Sequence, residues 1–200
     1  ANELIPLYQG DKESRSDWED TYMKGLDQLG LKIDERTEPW VGACGVFHPM
    51  LTEAVVRFQA QAISEIFPAS GPVKTEIIGE LTDEKTKQAH RVQNYMNYLL
   101  TNKMVEYRNE TEKLLWSLPL AGSAFRKVYY DVNMGRPCSM FVPAEDFIVS
   151  YGTSDLITCE RSTHVMKKTE NEVRKMQVKG FYRDVELPSP SPEIDEIVKK

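Results

Sequence analysis

The chain has 200 residues and a formal net charge of −6, with 40% hydrophobic and 28% charged residues. This composition is typical of a globular protein with one domain or two small ones. The acidic balance disfavours an autonomous nucleic-acid-binding protein, which usually carries a basic excess for phosphate contacts. It leaves open a protein through which DNA only passes. No apolar run approaches the roughly 18 residues of a membrane span, and residues 1–16 lack the apolar core of a signal peptide.

The cysteines and the chain ends give two further expectations. Cys44, Cys138 and Cys159 are odd in number and widely spaced, which favours reduced thiols in a cytoplasm. The sequence has no initiator methionine and stops inside a helical pattern. We therefore expect it to be part of a longer protein.

The N-terminal region is predicted as an arm followed by a helix. Residues 1–15 are polar and are expected to be irregular. Ser16 and Glu19 have the spacing of a capping box, in which each side chain bonds a backbone N–H of the other residue. The helix that starts there carries one apolar stripe, and Gly30 is expected to end it. The stripe consists of Trp18, Tyr22, Leu26 and Leu29.

The most apolar helix is predicted between Pro49 and Pro68. Proline suits a first helical turn, because its missing N–H would have no partner there. Two adjacent apolar stripes follow, and such a wide apolar arc predicts a central helix with most of its circumference covered. The stripes consist of Leu51, Val55, Phe58, Ala62 and Ile66, and of Val56, Ala60, Ile63 and Phe67.

Two more helices are expected after a short edge strand over residues 73–78. Thr82 with the following acids is a good helix start, because acidic side chains complement the N-terminal dipole. The buried side of the helix that starts at Thr82 is predicted to contain Ala89, Val92, Met96 and Leu99. The second of these two helices is expected from near Asn109, with Pro119 kinking or ending it.

The period of the pattern changes after residue 122. Residues 123–132 and 138–143 are β-rich and are joined by a turn, which predicts a hairpin. Further strands are expected within residues 143–152 and 156–166. Thr169 then begins a short basic helix. The sequence thus predicts an α+β fold, with several packed long helices and a small, mostly antiparallel sheet. The predicted domain covers residues 16–185, followed by a Pro/Ser linker (186–192) and a further helix start (193–200).

No motif for catalysis, metal binding or cofactor binding stands out. Cys44 and His48 could pair as nucleophile and base, but no third orienting group accompanies them. Zinc would need about four ligands in close pairs, and Cys159 and His164, the second close pair, would point to opposite faces of a strand. The phosphate-binding GxxxxGK[ST] pattern is absent. The sequence indicates no cofactor and no enzyme.

Two weaker patterns are kept as hypotheses. Glu145 and Asp146 could hold magnesium in a nuclease, provided that further acids lie nearby in the fold. A basic run could face phosphate, although Glu170 and Glu172 dilute it. That run consists of Lys167, Lys168, Arg174, Lys175 and Lys179.

Aromatic residues are the best candidates for subunit contacts. Tryptophan and other aromatic side chains are enriched at the centres of stable interfaces. Trp40, Trp116 and Phe181 are therefore the predicted interface residues. Trp40 has two interpretations: it could anchor its own loop in the core of the same subunit, or it could fill a pocket of a neighbouring subunit. The first interpretation is favoured.

Three stretches carry a family resemblance. EPWVGACGVFHPMLTEAVVRFQAQAISEIFPASGPVKT, LAGSAFRKVYYDVNMGRPCSMFVPAEDFIVSYG and RSTHVMKKTENEVRKMQVKGFYRDV resemble the portal proteins of tailed bacteriophages, in particular those of the short-tailed, podovirus-like type. The similarity runs over roughly residues 16–185 rather than one short motif. It matches the N-terminal, wing portion of such proteins.

This resemblance implies a structural role in the virion. Portal subunits form a ring, dodecameric in assembled heads, at one vertex of the capsid, after assembly in the host cytoplasm. Double-stranded DNA is packaged and ejected through the ring, which contacts the major capsid protein, the terminase and the head-tail adaptor. The alternatives are a metal-dependent phage nuclease and a monomeric nucleic-acid-binding module.

Overall fold

The computed structural model describes residues 3–30, 40–43, 48–132 and 134–187. These residues form six α-helices and two two-stranded sheets, so the predicted α+β class is confirmed. Contacts divide the chain into a larger unit, residues 17–147, and a smaller unit made of residues 1–16 and 148–200. The predicted domain over residues 16–185 thus includes parts of both units. The helix start predicted at residues 193–200 and most of the linker lie outside the described residues.

Four helices lie mainly in the larger unit: α2 (Ser16–Leu29), α3 (Met50–Ile66), α4 (Asp83–Tyr98), which continues into a π-helical turn (Leu99–Lys103), and α5 (Tyr107–Ala121). Thr82 caps α4 as predicted, through its side chain and the Lys85 N–H. Pro119 lies within α5 but does not end it. The helix ends instead at Gly122, whose φ of 77° is left-handed, a conformation that favours glycine.

The central helix is covered on one side only. Val55 is fully buried, whereas Phe58 is 42% exposed and Val56 is 46% exposed. α3 packs along α5, where Gln59 Nε2 donates to the carbonyl oxygen of Glu112 at 3.0 Å. The prediction that most of its circumference is covered is therefore wrong within this chain. Periodicity shows which residues are apolar, but it does not show how many neighbours the fold supplies.

This one-sided packing changes the expected cost of mutations in α3. Removing a fully buried Phe side chain costs about 3–5 kcal/mol, but much of the Phe58 ring remains in water. We expect Phe58→Ala to cost about 1–2 kcal/mol, and Val55→Ala to cost about 2 kcal/mol although it removes fewer carbons. Denaturant titration of the isolated chain measures both values. A loss above about 3 kcal/mol for Phe58→Ala would show that the ring is covered.

Residues 73–78 are not a strand. The Asn97 side chain accepts from Val73 N at 2.8 Å and donates to Val73 O at 3.1 Å. Thr75 N donates to Gln93 Oε1 at 3.4 Å. Two amide side chains spaced i, i+4 on α4 thus provide the bonds that a neighbouring strand would provide. The close approach needs Gly71, because a Cβ there would lie 2.6 Å from the Asn97 side chain.

The predicted hairpin is confirmed. β1 (Phe125–Asp131) pairs antiparallel with β2 (Arg136–Val142), with Phe125 opposite Val142. β2 packs against α5 and is the more buried of the two strands. Phe125 also contacts the ring of Phe147, with the ring centres 4.4 Å apart.

A small aromatic cluster joins α2 to the C-terminal end of α5. The Trp18 and Tyr22 rings stack with centres 5.1 Å apart, and Trp18 Nε1 donates to the Ala121 carbonyl at 3.1 Å. Gly25 permits the approach, because a Cβ there would lie 2.9 Å from Leu120 Cδ1. The predicted stripe of α2 therefore faces the core.

The smaller unit contains α1 (Leu4–Glu13), most of β3 (Phe147–Val149), β4 (Ser162–His164) and α6 (Glu170–Val178); β3 follows a 3₁₀ turn at Ala144–Asp146. β3 pairs with β4, which is shorter than the strand predicted over residues 156–166. The capping box of α6 is confirmed, with Thr169 and Glu172 bonding each other's backbone N–H.

The prediction of an irregular N-terminal arm is wrong for α1. Asp11 is buried, and both of its carboxylate oxygens accept from Arg161, at 2.9 and 3.2 Å. A two-bond arginine–carboxylate pair of this kind is among the stronger polar contacts in proteins. Arg161 lies 150 positions away from Asp11 in the sequence, so no local sequence pattern predicts this helix.

The pair gives a test of how α1 is held. Arg161→Ala leaves a buried carboxylate without its cation, and we expect a loss of about 2–3 kcal/mol in the free energy of unfolding. The double variant Asp11→Leu/Arg161→Leu is expected to lose less, because no buried charge remains. Arg57→Ala is the control, since its pair with Glu53 is exposed on both sides and contributes below about 0.5 kcal/mol. Equal losses for Arg161→Ala and Arg57→Ala in denaturant titration would contradict this expectation.

Candidate assembly surface

The described residues bury few large apolar side chains. Nine hydrophobic residues are buried, and they are Tyr22, Val55, Met104, Leu115, Ala121, Cys138, Val142, Ala144 and Ile148. Large apolar residues on several elements stay exposed, including Met50 on α3, Tyr95 on α4, Val128 and Tyr130 on β1, and Phe181 after α6. Scattered exposed apolar residues are normal on a protein surface, and the large aromatic ones among them are candidates for contacts with a partner.

The three predicted interface aromatics are all accessible. Trp40 is 68% exposed, Trp116 is 37% exposed and Phe181 is 75% exposed. Trp40 begins a turn closed by the Ala43 N–H donating to its carbonyl at 3.0 Å. The interpretation that Trp40 anchors the core of its own subunit is therefore wrong. Trp40 and Trp116 belong to the larger unit, and Phe181 belongs to the smaller one.

Trp116 lies in a groove of the larger unit that has a volume of about 710 Å³. α5 forms its floor, α2 and Gln59 of α3 flank it, and the end of β2 with the following turn forms another wall. This groove is called the Trp116 groove below. It is lined by Tyr22, Leu26, Gln59, Glu106, Asn109, Glu110, Glu112, Lys113, Trp116, Ser117, Leu120, Phe141, Pro143 and Glu145.

Polar contacts between α5 and the hairpin position the groove wall. Glu110 Oε2 accepts from Phe141 N, and its Oε1 accepts from Lys113 Nζ, both at 2.7 Å. Glu106 pairs with Arg136 at 2.7 Å. The hydrogen bond from Arg136 lowers the pKa of Glu106, so this carboxylate stays ionised at neutral pH.

A second part of the same contact lies at Arg126. Arg126 Nη2 donates to the buried hydroxyl of Thr111 at 2.6 Å, and the guanidinium lies 4.7 Å from the centre of the Tyr107 ring. Thr111 in turn donates to the Tyr107 carbonyl at 2.6 Å. The hairpin is thus joined to α5 by both of its strands.

Glu145 is part of the groove. Burial, and then the nearby charge of Glu145 and a hydrogen bond with it, raise the pKa of Tyr22 to about 12. The carboxylate proposed for a nuclease is therefore engaged with a tyrosine hydroxyl. No group of three or more His, Cys, Asp or Glu residues is placed to hold a metal within the described part of the chain.

The thiol candidates have structural surroundings. Cys44 lies outside the described residues, so its pairing with His48 has no structural description. Cys159 Sγ donates to the Arg161 carbonyl at 2.7 Å and lies 3.6 Å from Thr153 Oγ1. The hydrogen bond with Thr153 lowers the pKa of Cys159. These contacts hold the Cys159 thiol within its own loop.

The residues of the basic run are exposed, and some of them interact with acidic side chains. Arg174 pairs with Glu170 at 2.6 Å, one turn earlier on α6. Hydrogen bonds with Thr169 lower the pKa of Glu172, and the charges of Lys168 and Lys175 lower it further. Lys167, Lys168, Arg174, Lys175 and Lys179 all lie on the surface of the smaller unit.

Sequence reasoning missed the polar contacts around the groove. Glu106, directly before α5, and Glu110 on α5 are spaced i, i+4 and bond the hairpin, and Arg126 and Arg136 lie on its two strands. That charge pattern was available in the sequence. It could not show which carboxylate bonds a backbone N–H, because that depends on the docking of the hairpin.

The sequence was compared with protein-family models and with curated proteins. No protein-family model matches this chain, and no curated protein matches it significantly. Within the described residues, no helix is both long and apolar enough to span a bilayer.

The Tyr22 hydroxyl gives a pH-dependent prediction. Its unfolded pKa is near 10, and the folded value is higher, so folding holds this proton more tightly. Stability is therefore expected to fall between about pH 10 and pH 12 by about 2–3 kcal/mol. Tyr22→Phe is the matched control, because it removes this hydroxyl and keeps the ring. The difference between the two unfolding profiles should shrink as pH rises, and a constant difference would contradict the assignment.

Proposed function

We propose that this chain is a structural subunit of a phage portal ring, contributing its wing portion. Such a ring would sit at one capsid vertex and let double-stranded DNA pass during packaging and ejection. Its partners would be further copies of itself, which would form a dodecamer in assembled heads. The ring would also contact the major capsid protein, the terminase and the head-tail adaptor. Its location would be the virion.

Two lines of support lead to this proposal. The first is the resemblance of residues 38–75, 120–152 and 161–185 to portal proteins. The second, which is the physical basis of the proposal, is the exposure of Trp40, Trp116 and Phe181 on a chain whose described residues include few buried apolar side chains. Stable interfaces use aromatic anchors of this type. A subunit designed for assembly therefore explains the exposed side chains better than a monomeric protein does.

The charge of the chain also suits a conduit for DNA. Many Lys and Arg contacts with phosphate produce tight, salt-sensitive binding, which would hinder sliding. The chain has a net charge of −6, and Arg174 of the basic run is paired with Glu170. Weak DNA binding by each subunit, no tighter than about 10⁻⁴–10⁻⁶ M, is what the proposal requires.

The test is electron microscopy of the full-length protein that contains this chain, with ring yield as the readout. Trp40→Ala is expected to lower the fraction of rings, while the stability of the subunit changes by less than about 1 kcal/mol, because the side chain is exposed. Tyr95→Ala on α4 is the control, since Tyr95 is 63% exposed and is not a predicted anchor.

Several results would count against the proposal. Absence of rings with a central hole would reject it, as would nanomolar binding of the chain to duplex DNA at physiological salt. Metal-dependent DNA cleavage that disappears in Glu145→Ala and Asp146→Ala would replace it with the nuclease. Unchanged ring yield for Trp40→Ala, Trp116→Ala and Phe181→Ala would reject the role of the aromatic anchors.

A further inference from the structure

We infer that the Trp116 groove of one copy binds the C-terminal end of α6 of a second copy. This inference rests on the proposed function and specifies which two surfaces meet in the assembly. It is argued from the shape and charge of each surface as it exists within its own unit.

The receiving surface is an aromatic groove with an acidic lining. Four carboxylates line it, those of Glu106, Glu110, Glu112 and Glu145, against the single ammonium of Lys113. Glu106 and Glu112 also pair with arginines outside the lining, Arg136 and Arg108. Glu110 pairs with Lys113 at 2.7 Å, so four carboxylates face three cations, and the groove keeps a small acidic excess around a partly exposed indole.

α5 contributes a row of side chains along the groove. With Glu106 just before the helix, these residues repeat at helical spacing, and they are Glu106, Asn109, Glu110, Lys113, Trp116, Ser117 and Leu120. Recognition of a helix in a groove uses anchors at i, i+3 and i+4 of the incoming helix. Trp116 lies in the middle of this row, where an incoming apolar side chain would contact the indole.

The proposed incoming surface is apolar at its tip and basic around it. Val178 is 89% exposed and Phe181 is 75% exposed. Lys175, Val178 and Lys179 are spaced i, i+3 and i+4, so they share one face of the helix end. Residues 167–183 contain six lysines and arginines and two glutamates. Phe181 is held in place by its N–H donating to the Met176 carbonyl at 2.9 Å.

The two surfaces are complementary in both apolar character and charge. Phe181 and Val178 would contact Trp116, while Lys175 and Lys179 would lie near the carboxylates of the groove. Charge complementarity selects the partner surface, and a buried aromatic contact supplies most of the affinity. No other element of the smaller unit combines exposed aromatic and basic residues in this way among the described residues.

The charges also select the symmetry of the contact. A two-fold contact of groove with groove would place carboxylates against carboxylates, and α6 against α6 would place lysines against lysines. Like charges that face each other across an interface are unfavourable. Groove against α6 joins two different surfaces of the same chain, which is a head-to-tail contact, and repeated head-to-tail contacts can close into a ring.

Duplex DNA is the other candidate occupant of the basic face. It would use Lys175 and Lys179 but not the exposed Val178 and Phe181, because phosphate contacts need no apolar anchor. These observations favour a protein partner.

A charge-exchange experiment tests the contact directly. Lys175→Glu and Glu112→Lys are each expected to raise the dissociation constant for self-association by about five- to thirtyfold, since each places like charges across the contact. The double variant carries both changes in every copy and is expected to recover most of the affinity. Lys87→Glu is the matched control, because it makes the same charge change on the exposed face of α4. Sedimentation velocity of the full-length protein gives the constants.

A second variant covers the case in which Glu112→Lys disturbs α5 through Arg108. Phe181→Ala should weaken association at least tenfold while the melting temperature changes by no more than about 2 °C, because the ring is exposed and forms its aromatic contact with Tyr182 alone among the described residues. The melting temperature of every variant is measured beside its association constant. Unchanged association for Phe181→Ala would overturn the inference.

The remaining outcomes separate this inference from the proposed function. Rings that form normally in both single charge variants overturn the inference and leave the portal proposal standing. Loss in both single variants without recovery in the double variant overturns direct contact between these two surfaces. Loss of DNA binding but not of self-association in Lys175→Glu assigns the face to DNA and overturns the inference. A protein that stays monomeric at all concentrations overturns both proposals.

Discussion

The contact between α5 and the β1–β2 hairpin is the interaction on which the larger unit depends. A two-stranded hairpin alone is marginally stable in water, so this one must be held by its neighbour. The Glu110 carboxylate bonds the backbone N–H of Phe141, Glu106 pairs with Arg136, and Arg126 reaches the Thr111 hydroxyl. Each of these contacts joins a charged group to a partner, and such bonds are roughly twice as strong as neutral ones.

The same contact creates the candidate site. This contact fixes the end of β2 beside α5, and it thereby places Phe141, Pro143 and Glu145 in one wall of the Trp116 groove. The Tyr22 hydroxyl, held on α2, then completes the lining through its bond with Glu145. The groove is therefore a consequence of how the hairpin docks, and loss of docking would remove both stability and site together.

Incomplete coverage of apolar faces is the second constraint on this protein. α3 buries Val55 but leaves Phe58 and Val56 accessible, and α4 has no fully buried residue among those described. Some apolar exposure is normal on any protein. Here it includes large aromatic side chains on several elements, and it coexists with an acidic groove and a basic helix end on one chain. An assembly built from repeated copies would use these features.

The sequence by itself determined the local structure wherever the signal was local. The capping residues Thr82 and Thr169 started their helices, and the alternating segments around residue 133 paired as a hairpin. In each case the bonds or patterns involve residues only a few positions apart, so they can be predicted from the sequence alone.

Only the tertiary structure decided what depends on distant partners. α1 forms around an ion pair with Arg161, and the expected strand at residues 73–78 is replaced by bonds from Gln93 and Asn97 of α4. Phe58 and Trp40 have apolar surroundings in the sequence, yet both are exposed in the fold. Burial depends on which surfaces the chain brings together, and that choice follows from the free energy of the whole packed unit rather than from the periodicity of any one helix.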